Sequence, residues 1–347
     1  MITIRQLAEI AGVSPATVSK ALNDQSDVSS RMKEYIAKLA QEHGYTKRVP
    51  ANSGGTAFSG MKVGILFTDQ TSKYYSNLLM RFNERIAEEK GIVFTVDTLF
   101  SDQRAEDICH YFEKTRIVDG VICIAALENN LIPEQFRVPI VSCSVIPVME
   151  TYSYDYIYIN EETGIDEAIR ALLDNGHRRF AYLGEQHSGK RHAIFRKTME
   201  RYGIREEDRY EAISGLRYEE AGYRLMTELL KEDRIPSAIF CDYDDMAVGA
   251  GQAIAEAGFR IPEDFSIVAV DNSELVLQDR KVIASVDCNI NDQVDIALAL
   301  LHKRIKDPNT AIQNVSLLSR FICRETVGPC PKWKNRPDED AAQNAAV

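Results

Sequence analysis

Two hydrophobic periods follow one another along this chain. Over the first 48 residues, apolar positions recur at helical spacing. Ile4, Leu7, Ala8 and Ala11 share one face of a helix predicted over Ile4–Ala11, with Thr3 as its cap. Gly12 stands where that helix should stop and the chain turn with positive φ. Ser14-Pro15 then opens a second helix, serine as cap and proline at the first helical position, running to Asn23 with Val18 and Leu22 inward. A third helix, Ser29 to His43, carries Met32, Ile36, Leu39 and Ala40 on one face and ends at Gly44. Ala8 is small enough for close packing, Gly12 makes a sharp turn, and Val18 anchors the second helix, which is the logic of a helix-turn-helix. A plain helical hairpin would share this apolar pattern. The polar side discriminates: Ala16, Thr17, Ser19 and Lys20 lie outward on the second helix, where a recognition helix meets bases and phosphates, and Tyr45, Lys47 and Arg48 follow the third helix in position for backbone contacts.

From Met61 the pattern changes to short apolar runs separated by amphipathic stretches. Strands are predicted at Val63–Phe67, Val93–Leu99, Gly120–Ala125, Pro139–Ser144, Tyr156–Asn160, Arg179–Gly184, Tyr210–Ser214, Ala238–Asp242 and Ser266–Asp271. Helices are predicted between most of them, at Asn77–Glu89, Ala105–Lys114, Thr163–Asn175, Arg191–Tyr202, Glu219–Lys231 and Asp245–Ala257. This alternation predicts an α/β body of parallel sheets covered on both faces, with ligands taken at the carboxyl ends of strands. Periodicity alone leaves one domain or two lobes open. Between headpiece and body, Gly54, Gly55 and Gly60 among serines describe a flexible linker.

Composition sharpens this picture. The 347 residues suit two or three domains. The net charge of −11 argues against nucleic acid until its distribution is read. Residues 1–48 hold seven basic against five acidic side chains, +2, which leaves −13 for the remainder. A mildly basic headpiece before an acidic body suits a protein that meets DNA at one end only. The seven cysteines form no CxxC pair or metal-spaced cluster, so neither a metal nor a cofactor is expected. Cys123, Cys143 and Cys241 sit in strand-like runs and are expected to be buried, reduced thiols, whereas Cys323 and Cys330 lie nearer the tail. With no signal peptide before the first helix and no apolar run of membrane length, a soluble cytoplasmic protein without a membrane partner is expected. An enzyme is not expected, and no catalytic residues are assigned: there is no P-loop, no GxGxxG after a strand and no HExxH, and His110, His177, His187 and His192 form no nucleophile–base signature. A solute-binding protein would share the body, but with an export signal in place of the helix-turn-helix.

The run Thr3-Ile4-Arg5-Gln6-Leu7-Ala8-Glu9-Ile10-Ala11-Gly12-Val13-Ser14-Pro15-Ala16-Thr17-Val18-Ser19-Lys20-Ala21-Leu22-Asn23, with Val28-Ser29 and Gly44-Tyr45, resembles the headpiece of lactose-repressor-like (LacI/GalR) regulators. Asp69–Tyr75, Asp119–Ile122, Asn175–Gly184, Pro236–Asp271 and Arg324-Glu325 with Pro329, which matches the family's terminal strand, extend the resemblance over residues 2–329. The resemblance implies a regulator, a repressor of transcription, that binds double-stranded operator DNA as a homodimer under control of a small effector, a sugar or glycoside. Pro15, Ala16 and Lys20 would face bases, and Thr17, Ser19 and Asn23 phosphates, with Thr3, Ser14 and Ser29 completing the DNA-facing set. Lys20 is the one long donor left for base readout, suited to guanine O6 and N7. The body would be periplasmic-binding-protein-like: two lobes, three crossovers and a ligand cleft between them. The implied division is a headpiece at 1–48, a hinge at 49–60, and a body at 61–330. Lobe 1 would take 61–159 and 288–320, lobe 2 would take 160–287 and 321–330, and a disordered tail would follow at 331–347.

The hinge departs from the family, which places there a short helix whose leucine wedges the minor groove. Gly54 stands at the leucine position, and Pro50 with the glycines disfavours a helix. Either the wedge is absent, Phe58 supplies it from a shifted register, or Phe58 packs on the body. Position at strand ends nominates Asp69, Tyr74, Tyr75, Arg191, Tyr243, Asp244 and Asp271 for the effector. Carboxylates and an arginine bind hydroxyls in forked pairs, and aromatic faces stack on a sugar ring. Ile194, Tyr243, Ser142-Cys143-Ser144-Val145 and Asp287 depart from the family's usual residues. The aromatic loop with Tyr152, Tyr154 and Tyr156 lines the cleft or covers its rim.

Overall fold

The computed structural model describes residues 4–22, 25, 28–42, 59–69, 71–124, 136–144, 154–277 and 279–331. Thr3, Asn23, Tyr45, Lys47 and Arg48 of the expected DNA-facing set lie outside them, as do Gly54, Phe58, Tyr152 and the tail from 332 onward. The chain divides into two units, Met1–Ala57 and Phe58–Val347.

The first unit holds α1 (Ile4–Ala11), α2 (Pro15–Leu22) and α3 (Ser30–Glu42). Gly12 has φ +67°, and Val13 N–H closes the end of α1 on the Ala8 carbonyl at 3.1 Å. Ser14 caps α2, its Oγ accepting from Thr17 N–H at 3.1 Å. Leu7, Ala8, Val18, Ala21, Ile36 and Ala40 form the shared core. The spacing of apolar residues thus dictates the packing of all three helices.

The second unit is built from two six-stranded sheets. Its elements run β1 (Lys62–Phe67), α4 (Lys73–Glu88), β2 (Ile92–Asp97), α5 (Asp102–Thr115), β3 (Gly120–Ile124), β4 (Ile140–Ser144) and β5 (Asp155–Asn160). Next come α6 (Glu162–Asp174), β6 (Phe180–Glu185), α7 (Gly189–Arg201), β7 (Arg209–Ser214), α8 (Tyr218–Leu229), β8 (Ala238–Cys241), α9 (Asp244–Glu256) and β9 (Ser266–Asp271). The last elements are β10 (Ala284–Asp287), α10 (Ile290–Lys306), β11 (Asn314–Leu318) and β12 (Arg320–Ile322). The first sheet has order β11-β5-β4-β3-β1-β2 and the second β12-β10-β9-β8-β6-β7. All pairings are parallel except β10 with β12. Strands buried on both faces, such as β3 and β6, read as continuous apolar runs because helices cover each side.

The chain passes between the lobes three times, after β5, after β10 and after β11. Side chains tie the three passages together. Ser319 Oγ donates to the Asn160 carbonyl at 2.9 Å and accepts Gly164 N–H at 3.0 Å. Asn289, with φ +53°, donates from Nδ2 to the Leu318 carbonyl at 2.9 Å. Gly164 is needed here: a Cβ would lie 2.5 Å from Val286 Cγ1 and 2.7 Å from Ser319 Oγ. His177 is fully buried and fixes the terminal segment, with Nδ1 2.8 Å from Ser237 Oγ and Nε2 3.1 Å from the Gly328 carbonyl. Its pKa is held below the usual value by burial, with the nearby Arg178 charge acting in the same direction.

Two expectations need correction. The terminal strand is β12, at Arg320–Ile322, not at Arg324-Glu325. Arg324 instead donates to the Ile283 carbonyl at 2.7 Å and to Asn272 Oδ1 at 2.5 Å. Tyr154 and Tyr156 neither line the cleft nor cover its rim; both are buried in the core on the α5 side of the first sheet.

Candidate DNA interface and ligand cleft

Helix α2 offers the headpiece a polar outer face. Ser14, Pro15, Ala16 and Lys20 are exposed, and Thr17 and Ser19 half-buried, while Val18 and Ala21 turn into the core. Ser14 is already engaged as the cap and bonds Thr17 Oγ1 at 2.9 Å. Ser29 is exposed and accepts Met32 N–H at 3.4 Å at the start of α3. The arrangement therefore leaves Lys20 as the long, solvent-facing donor of α2.

In the second unit a cleft of about 380 Å³ lies between the strand ends of the two lobes. That is the low end of ordinary small-molecule pockets. Arg191, on α7, is held at its floor. Its Nε donates to Glu161 Oε2 at 3.0 Å and a second bond runs from Nη2 to Oε1. Nη1 donates to the Asp242 carbonyl, and Asp271 Oδ1 lies 3.6 Å from Nη2. Burial alone would pull the guanidinium pKa down; the Glu161 and Asp271 carboxylates override it and hold it well above the usual value. Burial pushes Asp271 well above the carboxylate range, against the opposing charge of Arg191. Asp271 also adopts φ +103°, a conformation rarely kept by a residue with a side chain, and such strain concentrates at functional sites.

The cleft mouth is bridged from lobe to lobe. Asp69, just beyond β1 of the first lobe, accepts bonds from Arg217 and from the Tyr218 hydroxyl of the second lobe. Arg217 also donates to Glu185 at 3.1 Å, and its guanidinium lies 5.2 Å from the Phe100 ring centroid. Burial pushes the Asp69 carboxyl up, but bonds from Thr71 and Tyr218 and the charge of Arg217 outweigh it and leave it below its usual value. Phe100 stacks on His187 of the opposite lobe at 5.7 Å.

Of the seven nominated residues, Tyr74, Tyr75, Arg191, Tyr243 and Asp271 line the cleft, and Asp69 stands at its mouth. Tyr74 contributes its ring, since its hydroxyl is exchanged with Gln293 at 2.8 and 3.1 Å. Burial and then Asp271 push the Tyr75 phenol up to about 12, so it stays a neutral donor. Asp244 is the correction: it does not line the cleft. It is buried at the first position of α9, accepting Ser273 N–H at 2.5 Å and the Ser285 hydroxyl at 2.6 Å. Its neighbour Asp242 does the same behind Arg191, accepting Glu185 N–H at 2.7 Å and the Tyr182 hydroxyl. Burial raises both carboxyls to about 7.

Comparison with known proteins identifies both domains. A profile for bacterial regulatory proteins of the lacI family matches residues 3–47, and a periplasmic binding protein-like domain matches residues 169–327. The chain joins a lacI-family DNA-binding domain to a periplasmic binding protein-like domain. It is 25% identical over 340 residues to the probable HTH-type transcriptional repressor ExuR of Bacillus subtilis, covering 94% of this chain and 98% of that one. A ribose-bound LacI-family regulator from Enterococcus faecium superposes with TM-score 0.66 at 20% identity, over 77% of this chain and 99% of its own. The lac repressor dimer bound to operator and an anti-inducer gives TM-score 0.65 at 20% identity, over 94% of this chain and 99% of its own.

Within the body, sequence reasoning missed Glu161, Glu185, Arg217, Tyr218 and Phe100. Each follows or ends a strand at the cleft: β5, β6, β7 and β2. The strand-end rule that nominated Asp69 and Asp271 would have reached all of them if applied to every strand. Among the described residues no group of His, Cys, Asp and Glu could hold a metal ion, and no helix is long and apolar enough to cross a membrane.

Proposed function

We propose that this protein is a homodimeric transcriptional repressor that binds operator DNA through α2 and is controlled by a carbohydrate taken into the cleft. The observation that carries the reading is the pairing, in one chain, of an α2 presenting Lys20 outward with a cleft whose walls come from both lobes. The headpiece supplies sequence readout, with Lys20 donating to base edges and Thr17 and Ser19 to phosphates. Paired headpieces read two half-sites of a near-palindromic operator.

The cleft supplies control. Carboxylates and arginines recognise hydroxyls, and Tyr75, Phe100 and Tyr243 offer ring faces. A ligand touching both lobes favours one setting of the three passages, and only a ligand that distinguishes two settings can change operator affinity. Carbohydrate control agrees with the ribose seen in the Enterococcus faecium relative. The polypeptide is divided as headpiece, hinge and two-lobed body, with 49–60 linking them. In line with its regulator relatives it carries out no enzymatic reaction, and it acts in the cytoplasm.

Selection of bound sequences from random DNA by the full chain tests the first half of the reading. It should yield one near-palindromic motif, lost when residues 1–57 are removed. Bound DNA without a shared motif would overturn sequence-specific control.

A further inference from the structure

We propose that the cleft selects uncharged polyhydroxylated ligands over their anionic counterparts, and that Glu161 and Glu185 set this selectivity. The inference rests on the carbohydrate reading above and deepens it. Both arginines of the cleft already face protein carboxylates. Arg191 holds Glu161 through two bonds, and Arg217 holds Asp69 and Glu185. Lys190, the third cation of the wall, sits over the Tyr158 ring, 5.9 Å from its centroid.

The helix N-termini nearby, ordinarily attractive to anions, are answered in the same way. Helix α9 begins with Asp244 and Asp245, Asp245 also accepts the Lys73 N–H at the start of α4, and α6 begins beside Glu161 itself. Counting Asp69 at the mouth, five acidic side chains surround the cavity against three basic ones. A uronate or sugar phosphate would have to displace Glu161 or Glu185 from its arginine. Their side chains are only 5% and 3% exposed, so either would be left charged and buried without its partner.

A neutral polyol meets no such obstacle. Its hydroxyls donate to lone pairs the arginines leave unused, Asp271 Oδ1 among them at 3.6 Å from Arg191. Its apolar ring faces pack on Tyr75 and Phe100.

The test is calorimetric titration and thermal shift of the full-length protein with matched pairs: glucose and glucuronate, galactose and galacturonate, ribose and ribose 5-phosphate, cellobiose and cellobionate. The expected result is binding of at least one neutral member, with its anionic partner at least about tenfold weaker. Glu161→Gln and Glu185→Gln, read separately on variants that melt cooperatively, should narrow that ratio. An anion that binds as tightly as its neutral partner overturns the proposal, whether or not either variant folds. An unchanged ratio in both folded variants overturns the roles of the two glutamates. Silence across all pairs overturns the carbohydrate reading itself, whereas a response to anions alone overturns only the charge selectivity.

Discussion

Replacing Arg191 with alanine should do two things at once, and the structure allows them to be separated. Arg191 and Glu161 have side chains 10% and 5% exposed and are joined by two hydrogen bonds. Removing one member of such a buried pair leaves the other charged without compensation, at a cost of about 3–5 kcal/mol. Arg191→Ala is therefore expected to lower the unfolding free energy of the body by about that amount. Loss of ligand response in this variant alone would not identify a ligand contact. The double variant Arg191→Met with Glu161→Gln removes both charges at similar volume and should be far closer to wild type, since buried pairs replaced by matched neutral groups are often nearly neutral. Urea unfolding followed by fluorescence gives both values, with an unchanged m-value showing that the compact state is the same. The double variant should also lose its ligand response while keeping ligand-free operator binding, because both positions lie at the cleft and neither in the headpiece. A cost for Arg191→Ala below about 1 kcal/mol, the value of an exposed pair, or a normal ligand response in the double variant would show that the pair is neither buried in effect nor part of the ligand site.

Three further outcomes follow from other parts of the molecule. Gly164→Ala should destabilise the body by about 1–3 kcal/mol through overpacking against Val286 and Ser319, measured by thermal melting; a neutral result would show that the passages yield easily. Asp242 is raised to about 7 in the folded state from 3.8, so the folded protein binds the extra proton. Its contribution is most favourable below the unfolded value and is lost as pH rises through about 7. Asp242→Asn, which retains an acceptor for Glu185 N–H, should therefore flatten the fall in stability between about pH 4 and about pH 7; an identical slope in the variant would contradict the assignment. Lys20→Ala should reduce discrimination at its base contact by roughly 1–3 kcal/mol, and an equal fall in specific and non-specific affinity would make Lys20 a phosphate contact only.

The regular elements were legible wherever local pattern and burial agree. The headpiece helices appear at their apolar spacing because Leu7, Val18 and Ile36 have no other core to join. Nine strands were visible as short runs; the inner ones are apolar because helices cover both faces of the sheet, while the edge strands β2 and β7 are half-buried. What stayed hidden was the return of the chain. β11 is half-exposed at a sheet edge, with the pattern of burial alternating, and β12 has three residues, so neither forms a run. Helix α10, although long, follows Asn289 in a left-handed conformation rather than a serine or aspartate cap. The cleft was half legible. Asp271, Arg191 and Tyr243 follow from strand ends, but the Glu161 and Glu185 that answer the arginines are paired only by the fold, 30 and 32 residues away in sequence. Asp244 misled because its neighbour Tyr243 does face the cleft, and one step into a helix turns the side chain under the sheet edge.

One ligand site should govern one DNA site. The direct measurement is the affinity of the full-length protein for its selected operator, by fluorescence anisotropy at fixed salt, with and without each neutral sugar of the matched pairs. A sugar that binds the cleft should change operator affinity by roughly 5–150-fold, and the double variant at Arg191 and Glu161 should bind the same operator without that change. A sugar that binds the cleft yet leaves operator affinity unaltered would contradict control of the DNA site by the ligand site.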